Sequence, residues 1–389
     1  MKKKIELPSG HRKIKKKALN FLASITSVFF VSQLHAADVE TKIGVTGGVA
    51  YDSNPAMTSS HKDPVWIFTL APNLQLNIKD DVNLWYLDGA LSVQRHSNEM
   101  VLVNREDPRV VAGWTHTYES GLLGAKASYM KNSSLINQLV SAGVFTQTNN
   151  TETSKELAAN WQQSISSRWN VLTDAFYRQY EYSVITPGGL ISYNVADIRS
   201  KLSYENSEKL ITHAQVGYEQ VSPNTTFGNT DKVHLIMSAD YKFNDDFDYT
   251  ARAGVYNLSG RQSNTDWTGG IVVNYTNERM KYSLGLNRDN DPSGLGGFQT
   301  SDSLKLGWGY VRSERDHFGV DYSLSKYRKN ATIGLGAVDY QQITGFYERS
   351  LSSNLQANLS ASYKKINTNT TNGDGSYIGV TFVYDKFIF

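Results

Sequence analysis

Asp174, Phe176, Arg178 and Tyr180 stand at every second position of one segment, so an extended chain carries all four on one face. The segments that follow repeat the theme with Asp197, Arg199, Lys201 and Glu205, then His213 and Glu219. Lys232, His234, Asp240, Lys242 and Arg252 continue it. Charges of both signs interleaved with aromatic rings suit the passage of a polar, hydroxyl-rich solute, because rings stack on sugar faces while charges hydrogen-bond to hydroxyls. The bland alternative is a wall that is polar only because water lies against it.

Catalysis has less to work with. His213 and His234 fall on polar faces, His116 on a mostly apolar one, and His61 between segments. No histidine is expected to have a serine and an acid placed as a triad on adjacent segments, and no H-E-x-x-H spacing offers a metal site. Asp289-Asn290-Asp291-Pro292-Ser293-Gly294 begins like an EF-hand loop. Its twelfth position is Thr300, where calcium needs a bidentate glutamate, and no helical pattern flanks it. The chain has no cysteine, which excludes disulfides, thiolate metal sites and an acylated N-terminal cysteine. The expectation is a protein that is not an enzyme and holds no cofactor or metal.

The elements that must position these residues are strands. From about Thr41 to the end, segments of about ten residues alternate apolar with polar or small side chains, which is the period of a strand with one apolar face. Trp66, Phe68, Leu70, Leu74, Leu76 and Ile78 share one face against Thr69, Asn73, Gln75 and Asn77. Val233, Leu235, Met237, Ala239 and Tyr241 do the same, as do Leu355, Ala357, Leu359, Ala361 and Tyr363. The segments number about eighteen, each long enough to cross a bilayer at a tilt.

Links between segments alternate in length. Short ones such as Glu119-Ser120-Gly121 and Asn277-Glu278-Arg279 follow even strands, while long polar ones follow odd strands, among them Ser53–Pro64, Asn132–Thr153, Asp289–Thr300 and Asn367–Gly375. Tyrosines gather at both ends of the segments, Tyr204, Tyr241 and Tyr275 near short links, Tyr129, Tyr177 and Tyr218 near long ones. Short turns, long loops and two aromatic girdles describe an all-β, antiparallel, up-and-down transmembrane barrel. Strands in lipid must close on themselves, because no backbone group can be left without a partner there. The longest link carries Leu135, Ile136, Leu139, Val140 and Phe145, which would fold inward and form a constriction, or pack outside on loops or lipopolysaccharide.

The N-terminus is of another kind. Eight Lys/Arg and one acid lie between Lys2 and Lys17, an apolar run spans Ala18–Val31, and Leu34-His35-Ala36 precedes Ala37. That is the order of a secretory signal peptide, giving residues 1–36 as leader and 37–389 as the barrel. The leader contributes 8 − 1 = +7 to a total of +2, so the mature chain is about −5 and its charge offers nothing to nucleic acid. At the other end, Phe387-Ile388-Phe389 closes the chain. Phe387 and Phe389 are out of phase with Ile378, Val380, Phe382 and Tyr384, which a bulge near Asp385-Lys386 would repair.

The first strand ends Gly47-Gly48-Val49-Ala50-Tyr51-Asp52-Ser53-Asn54-Pro55. With the leader, the barrel pattern and the terminal Phe389, this resembles the β-barrel porin 2 family, in which a Tyr-Asp-x-Asn motif commonly closes the first strand. The resemblance implies a Gram-negative outer-membrane barrel inserted by the assembly machinery that reads the terminal aromatic. It also implies export of an exopolysaccharide, a biofilm or capsule matrix. Only a few residues separate Ala37 from the first strand, so a separate periplasmic polysaccharide-export protein would have to complete the conduit. A solute-uptake porin for small polar molecules such as sugars would share the barrel, the strand count and the polar lumen, whereas a structural or adhesive barrel would have a plugged lumen and function in its loops.

Overall fold

The computed structural model describes residues 38–60, 62–133, 151–183, 190–226, 228–328, 337–369 and 372–388. These residues form eighteen strands and no helix. In order they are β1 (Asp38–Asp52), β2 (Val65–Lys79), β3 (Asn83–His96), β4 (Arg105–Tyr118), β5 (Gly121–Ser133) and β6 (Thr151–Ser164). Next come β7 (Trp169–Tyr182), β8 (Tyr193–Ser207), β9 (Leu210–Pro223), β10 (Thr230–Lys242), β11 (Phe247–Gly260) and β12 (Asn264–Thr276). The last six are β13 (Met280–Ser293), β14 (Gly297–Val311), β15 (Asp316–Tyr327), β16 (Val338–Ser350), β17 (Leu355–Thr368) and β18 (Asn372–Phe387). Each pairs with the next, and β1 pairs antiparallel with β18, so the sheet closes on itself. The strand count and the closed antiparallel barrel are as the alternation predicts.

The outer face is an apolar surface. Phe68, Leu70, Leu157, Val216, Val233, Leu235, Met237, Val255 and Leu359 are all exposed on it. So large an uncovered apolar band has no place in water and calls for lipid. At the turn end Trp169–Tyr204, Tyr241–Tyr249, Tyr275–Tyr282 and Tyr310–Phe318 pair across neighbouring strands with ring centroids 4.5–6.0 Å apart. His116 joins this girdle, stacked between Trp114 and Tyr118. Toward the loop end Tyr129, Tyr177, Tyr218 and Tyr363 are exposed.

Two expectations about boundaries fail. Asp289–Thr300 and Asn367–Gly375 are read as long links, yet β13 runs on to Ser293, β14 starts at Gly297, and only residues 369–371 separate β17 from β18. Beyond the apolar band, strands keep pairing but no longer need an apolar face, so the alternation that marks them in sequence is lost. The second failure is the bulge. The β1–β18 ladder runs unbroken from Asp52↔Tyr377 to Lys42↔Phe387. Phe387 therefore stays on the face of Asp385, where Lys42 pairs with that acid at 3.0 Å and lies 5.8 Å from the Phe387 ring. The leader and Phe389 lie outside the described residues.

The buried apolar clusters lie at the loop end, where chain turns inward. One joins Met57 to Tyr327, Val338, Tyr340 and Ile366. The other gathers Leu190, Tyr193, Val195, Val221, Tyr256, Leu258, Leu295 and Phe298.

Candidate functional site

The second cluster marks a segment that leaves the wall. The β12–β13 ladder stops at Gly269↔Arg288, and the β14–β15 ladder begins at Ser301↔Tyr327. Between them the backbone is laddered only between the two arms of this hairpin, from Asp289↔Ser301 to Ser293↔Gly297. This hairpin turns into the lumen and reaches β9. Its tip is anchored by Ile191 N–H, which donates to the Gly294 carbonyl at 2.7 Å. Gly296 turns the chain at φ +69°, where its missing side chain leaves room for Pro223. Gln262 clamps both backbone groups of Phe298, accepting from its N–H at 2.6 Å and donating to its carbonyl at 2.8 Å. The Phe298 side chain is fully buried.

Lys232 on β10 ties the hairpin to the wall. Its Nζ pairs with Glu219 at 2.5 Å, donates to the Asn290 carbonyl at 2.7 Å and lies 4.5 Å from the Phe298 ring centre. Arg252 pairs with Asp289 at 2.6 Å. Sequence reading places Glu219, Lys232 and Arg252 on the inward face, but it puts Asp289 in a link and misses the hairpin. Pro292 was the available signal, because a residue without N–H is out of place in a fully paired wall strand.

Beneath the hairpin lies a cavity of about 720 Å³. Phe176, Arg178, Tyr180, Asp197, Arg199, Lys201, His213, Glu219, His234, Asp240 and Arg252 line it. Tyr193, Tyr256, Asp289, Asn290 and Asp291, which the alternation does not single out, line it as well. Asp174 does not: it sits further toward the turn end of β7, opposite Asn160 and Arg199. Tyr180 stacks on Tyr193 with centroids 4.7 Å apart, and Phe176 lies between Arg178 at 5.1 Å and Arg199 at 5.7 Å. The constriction residues Leu135, Ile136, Leu139, Val140 and Phe145, and His61, lie outside the described residues.

The EF-hand-like run is not a loop. Its first five residues end β13, and among the described residues no group of three His, Asp or Glu could hold a metal ion. The histidine expectation needs a larger correction. Ser203 Oγ lies 2.8 Å from His213 Nδ1, His213 Nε2 lies 2.9 Å from Asp240 Oδ2, and Thr250 Oγ1 donates to Asp240 Oδ1 at 2.6 Å. A serine, histidine and acid on three adjacent strands are thus in one hydrogen-bonded chain. The stagger between strands, which alternation does not encode, brings them level. Ser203 sits in ladders with both β7 and β9. The chain of bonds thus forms a polar rung of the wall, built into the ladders on both sides of Ser203.

In sequence the chain matches no protein-family model and no curated protein. In fold it is similar to solved barrels. Acinetobacter baumannii OccAB4 superposes with a TM-score of 0.53 at 12% identity, covering 92% of this chain and all of that one. Pseudomonas aeruginosa OpdQ gives 0.54 at 11% identity over 90% of this chain and all of its own. Pseudomonas aeruginosa OprD gives 0.50 at 11% identity over 92% and 99%. The fold is that of the OprD/Occ porin barrels.

Proposed function

We propose that the protein is an outer-membrane channel through which small polar solutes, such as sugars, enter by diffusion. The observation that carries this reading is the hairpin of residues 289–300 folded across the lumen over a 720 Å³ cavity of charges and rings. A barrel of eighteen strands would otherwise leave a wide aqueous bore. A cavity of this size suits one small ligand. The fold shared with OprD and the Occ barrels supports a porin. A polysaccharide on its way out would have to displace the hairpin and its Lys232 and Gln262 contacts, so the geometry favours solute uptake over the export that the porin 2 resemblance implies. In this reading residues 1–36 direct secretion, Phe389 is read by the barrel-assembly machinery, the loop end faces outward and lipopolysaccharide surrounds it.

Swelling of liposomes that contain the purified protein tests the proposal. Monosaccharides and disaccharides should permeate, with rates falling steeply as the sugar lengthens. Equal rates for long oligosaccharides would turn the reading toward polymer passage, and no permeation by any sugar would overturn it.

A further inference from the structure

The lipid-facing wall is uneven. On β8 to β11 its exposed face carries branched apolar side chains, among them Ile198, Leu202, Val216, Leu235 and Val255. On β4 to β7 the middle of the same face carries alanine. Ala112 pairs with Ala127, Ala125 with Ala159, and Ala159 with Ala175. Where the floor is that low, larger neighbours become walls. Val110 and Tyr129 stand on the β4–β5 side, Leu157 and Tyr177 on the β6–β7 side, and with Ala112 and Ala127 they line a groove of about 410 Å³ on the outside of the barrel.

At its loop end the groove becomes polar. Lys155 and Gln179 border it there, level with Tyr129. Lys155 pairs with Glu181 at 3.0 Å. Lys131 follows two residues past Tyr129 on the same outward face, opposite Thr153. Among the described residues Lys131 has no ion-pair partner within 4.0 Å. Two ammonium groups and one carboxylate leave a net positive charge beside the Tyr129 and Tyr177 rings, at the level of the aromatic girdle where lipid headgroups lie. An apolar hollow facing the bilayer is covered by an acyl chain, and basic side chains at its headgroup end favour an anionic head on that chain. A second copy of the barrel fits less well. A two-fold axis along the membrane normal would bring the same lysines against these at the same height.

We infer that this groove binds a phosphorylated, acylated sugar lipid of the outer leaflet, with an acyl chain over Ala112 and Ala127 and a phosphate received by Lys131 and Lys155. The inference rests on the outward orientation of the loop end in the reading above, and not on which solute the channel carries. Its test is native mass spectrometry of the folded barrel in detergent, with diphosphoryl lipid A or phosphatidylglycerol added. The heat-modifiable gel shift selects folded protein for each measurement. The parent should keep lipid A bound through collisional activation that strips phosphatidylglycerol. Ala127→Trp fills the groove and should abolish that retention. The double variant Lys131→Gln/Lys155→Gln should lower it about tenfold, because it removes the charge-assisted bonds to phosphate. Ala361→Trp, on the lipid face of β17, should leave it unchanged. Equal retention in every variant, or phosphatidylglycerol held as firmly as lipid A, overturns the inference, as does a stable dimer that Ala127→Trp breaks. Met100→Cys checks the orientation separately, since Met100 is almost wholly exposed at the loop end of a chain without cysteine. Labelling by an impermeant maleimide on intact cells supports the orientation. Labelling only after the outer membrane is broken overturns it, and the lipid site with it, while leaving the channel standing.

Discussion

Aspartate and asparagine close a turn at each end of this barrel, and the two turns work in opposite ways. At the loop end Asp52 accepts from Asn54 N–H at 3.1 Å and pairs with Lys364 Nζ at 2.7 Å, with both charged side chains almost wholly buried. Asn54 Nδ2 then donates to the carbonyls of Thr58 and Asp374, each at 2.8 Å, which draws Met57 inward onto Tyr327, Val338, Tyr340 and Ile366. At the turn end Asp80 accepts from the backbone of Val82 at 2.9 Å and of Asn83 at 2.6 Å, and Asp80, Asp81 and Val82 are all exposed. The residue types are the same and the burial is not. A buried ion pair is costly to break from one side, whereas an exposed turn can lose a bond to water at little cost. The loop end is where the chain turns inward and encloses a site, and the turn end only reverses direction.

The largest expected effect lies in the inward hairpin. Replacing residues 290–299 with a short Gly-Ser turn should raise single-channel conductance severalfold, because these residues form no strand ladder with the wall. Excising Met57 with its neighbours should change conductance far less, since that loop packs on strands away from the cavity. Similar conductance changes from the two variants would erase the distinction between a narrowing segment and a packing one.

Next comes the buried pair under the first loop. Lys364→Met leaves the Asp52 carboxylate buried without its partner, which should cost about 3–5 kcal/mol. The double variant Asp52→Asn/Lys364→Met should recover most of that loss, because no uncompensated charge remains. The midpoint of denaturant unfolding, followed by the heat-modifiable gel shift, reads both. A single variant as stable as the parent would show that the clamp contributes little.

The faces of the wall give the next effect in size. Leu235 and Leu359 point to lipid, whereas Ser238 lines the cavity and Ser360 alternates with Leu359. Arginine at Leu235 or Leu359 should cost roughly 2–4 kcal/mol if the site is near the midplane. Arginine at either serine should fold in nearly normal yield, and equal losses from both classes would reverse the assignment of faces.

How much of this was legible in sequence follows from what a period of two can carry. The alternation from Trp66 to Ile78 fills Val65–Lys79, and that from Val233 to Tyr241 falls within Thr230–Lys242. Those strands are bounded by changes in pattern that lipid imposes. Alternation also assigns each residue to a face, so twelve of the fifteen residues read as inward-facing from Asp174 to Arg252 border one cavity. Height along the axis is a different quantity. It depends on stagger between strands, which is why Asp174 falls outside the cavity and why the Ser203–His213–Asp240 chain was not foreseen. The hairpin was hidden for a third reason: it is held by Ile191, Lys232 and Gln262, residues far from it in sequence. The Tyr51-Asp52-Ser53-Asn54 motif was visible as a resemblance, and the structure gives it a physical role as the buried clamp of the first loop.

The smallest effect tests the other half of the comparison. The hydrogen bonds that Asp80 receives, from the Asn83 side chain first and then from the Val82 and Asn83 N–H groups, hold its carboxyl below the ordinary carboxylate range. A carboxyl whose pKa is depressed by folding adds stability above its unfolded value and loses that contribution as pH falls through the folded one. The turn should therefore be tight at neutral pH and loosen only in acid, below about pH 4. Since Asp80 is fully exposed, the loss should stay local and leave the unfolding midpoint unmoved. Hydrogen exchange at the Val82 and Asn83 amides reads it directly, after correction for intrinsic rates. In the parent, protection at those two amides should drop between about pH 6 and about pH 3. In Asp80→Ala it should already be low at the higher pH and should not fall further. Unchanged protection in the parent across that interval would show that backbone pairing alone holds the turn, and a shift in the global midpoint would show that the two ends of the barrel are not as different as their burial implies.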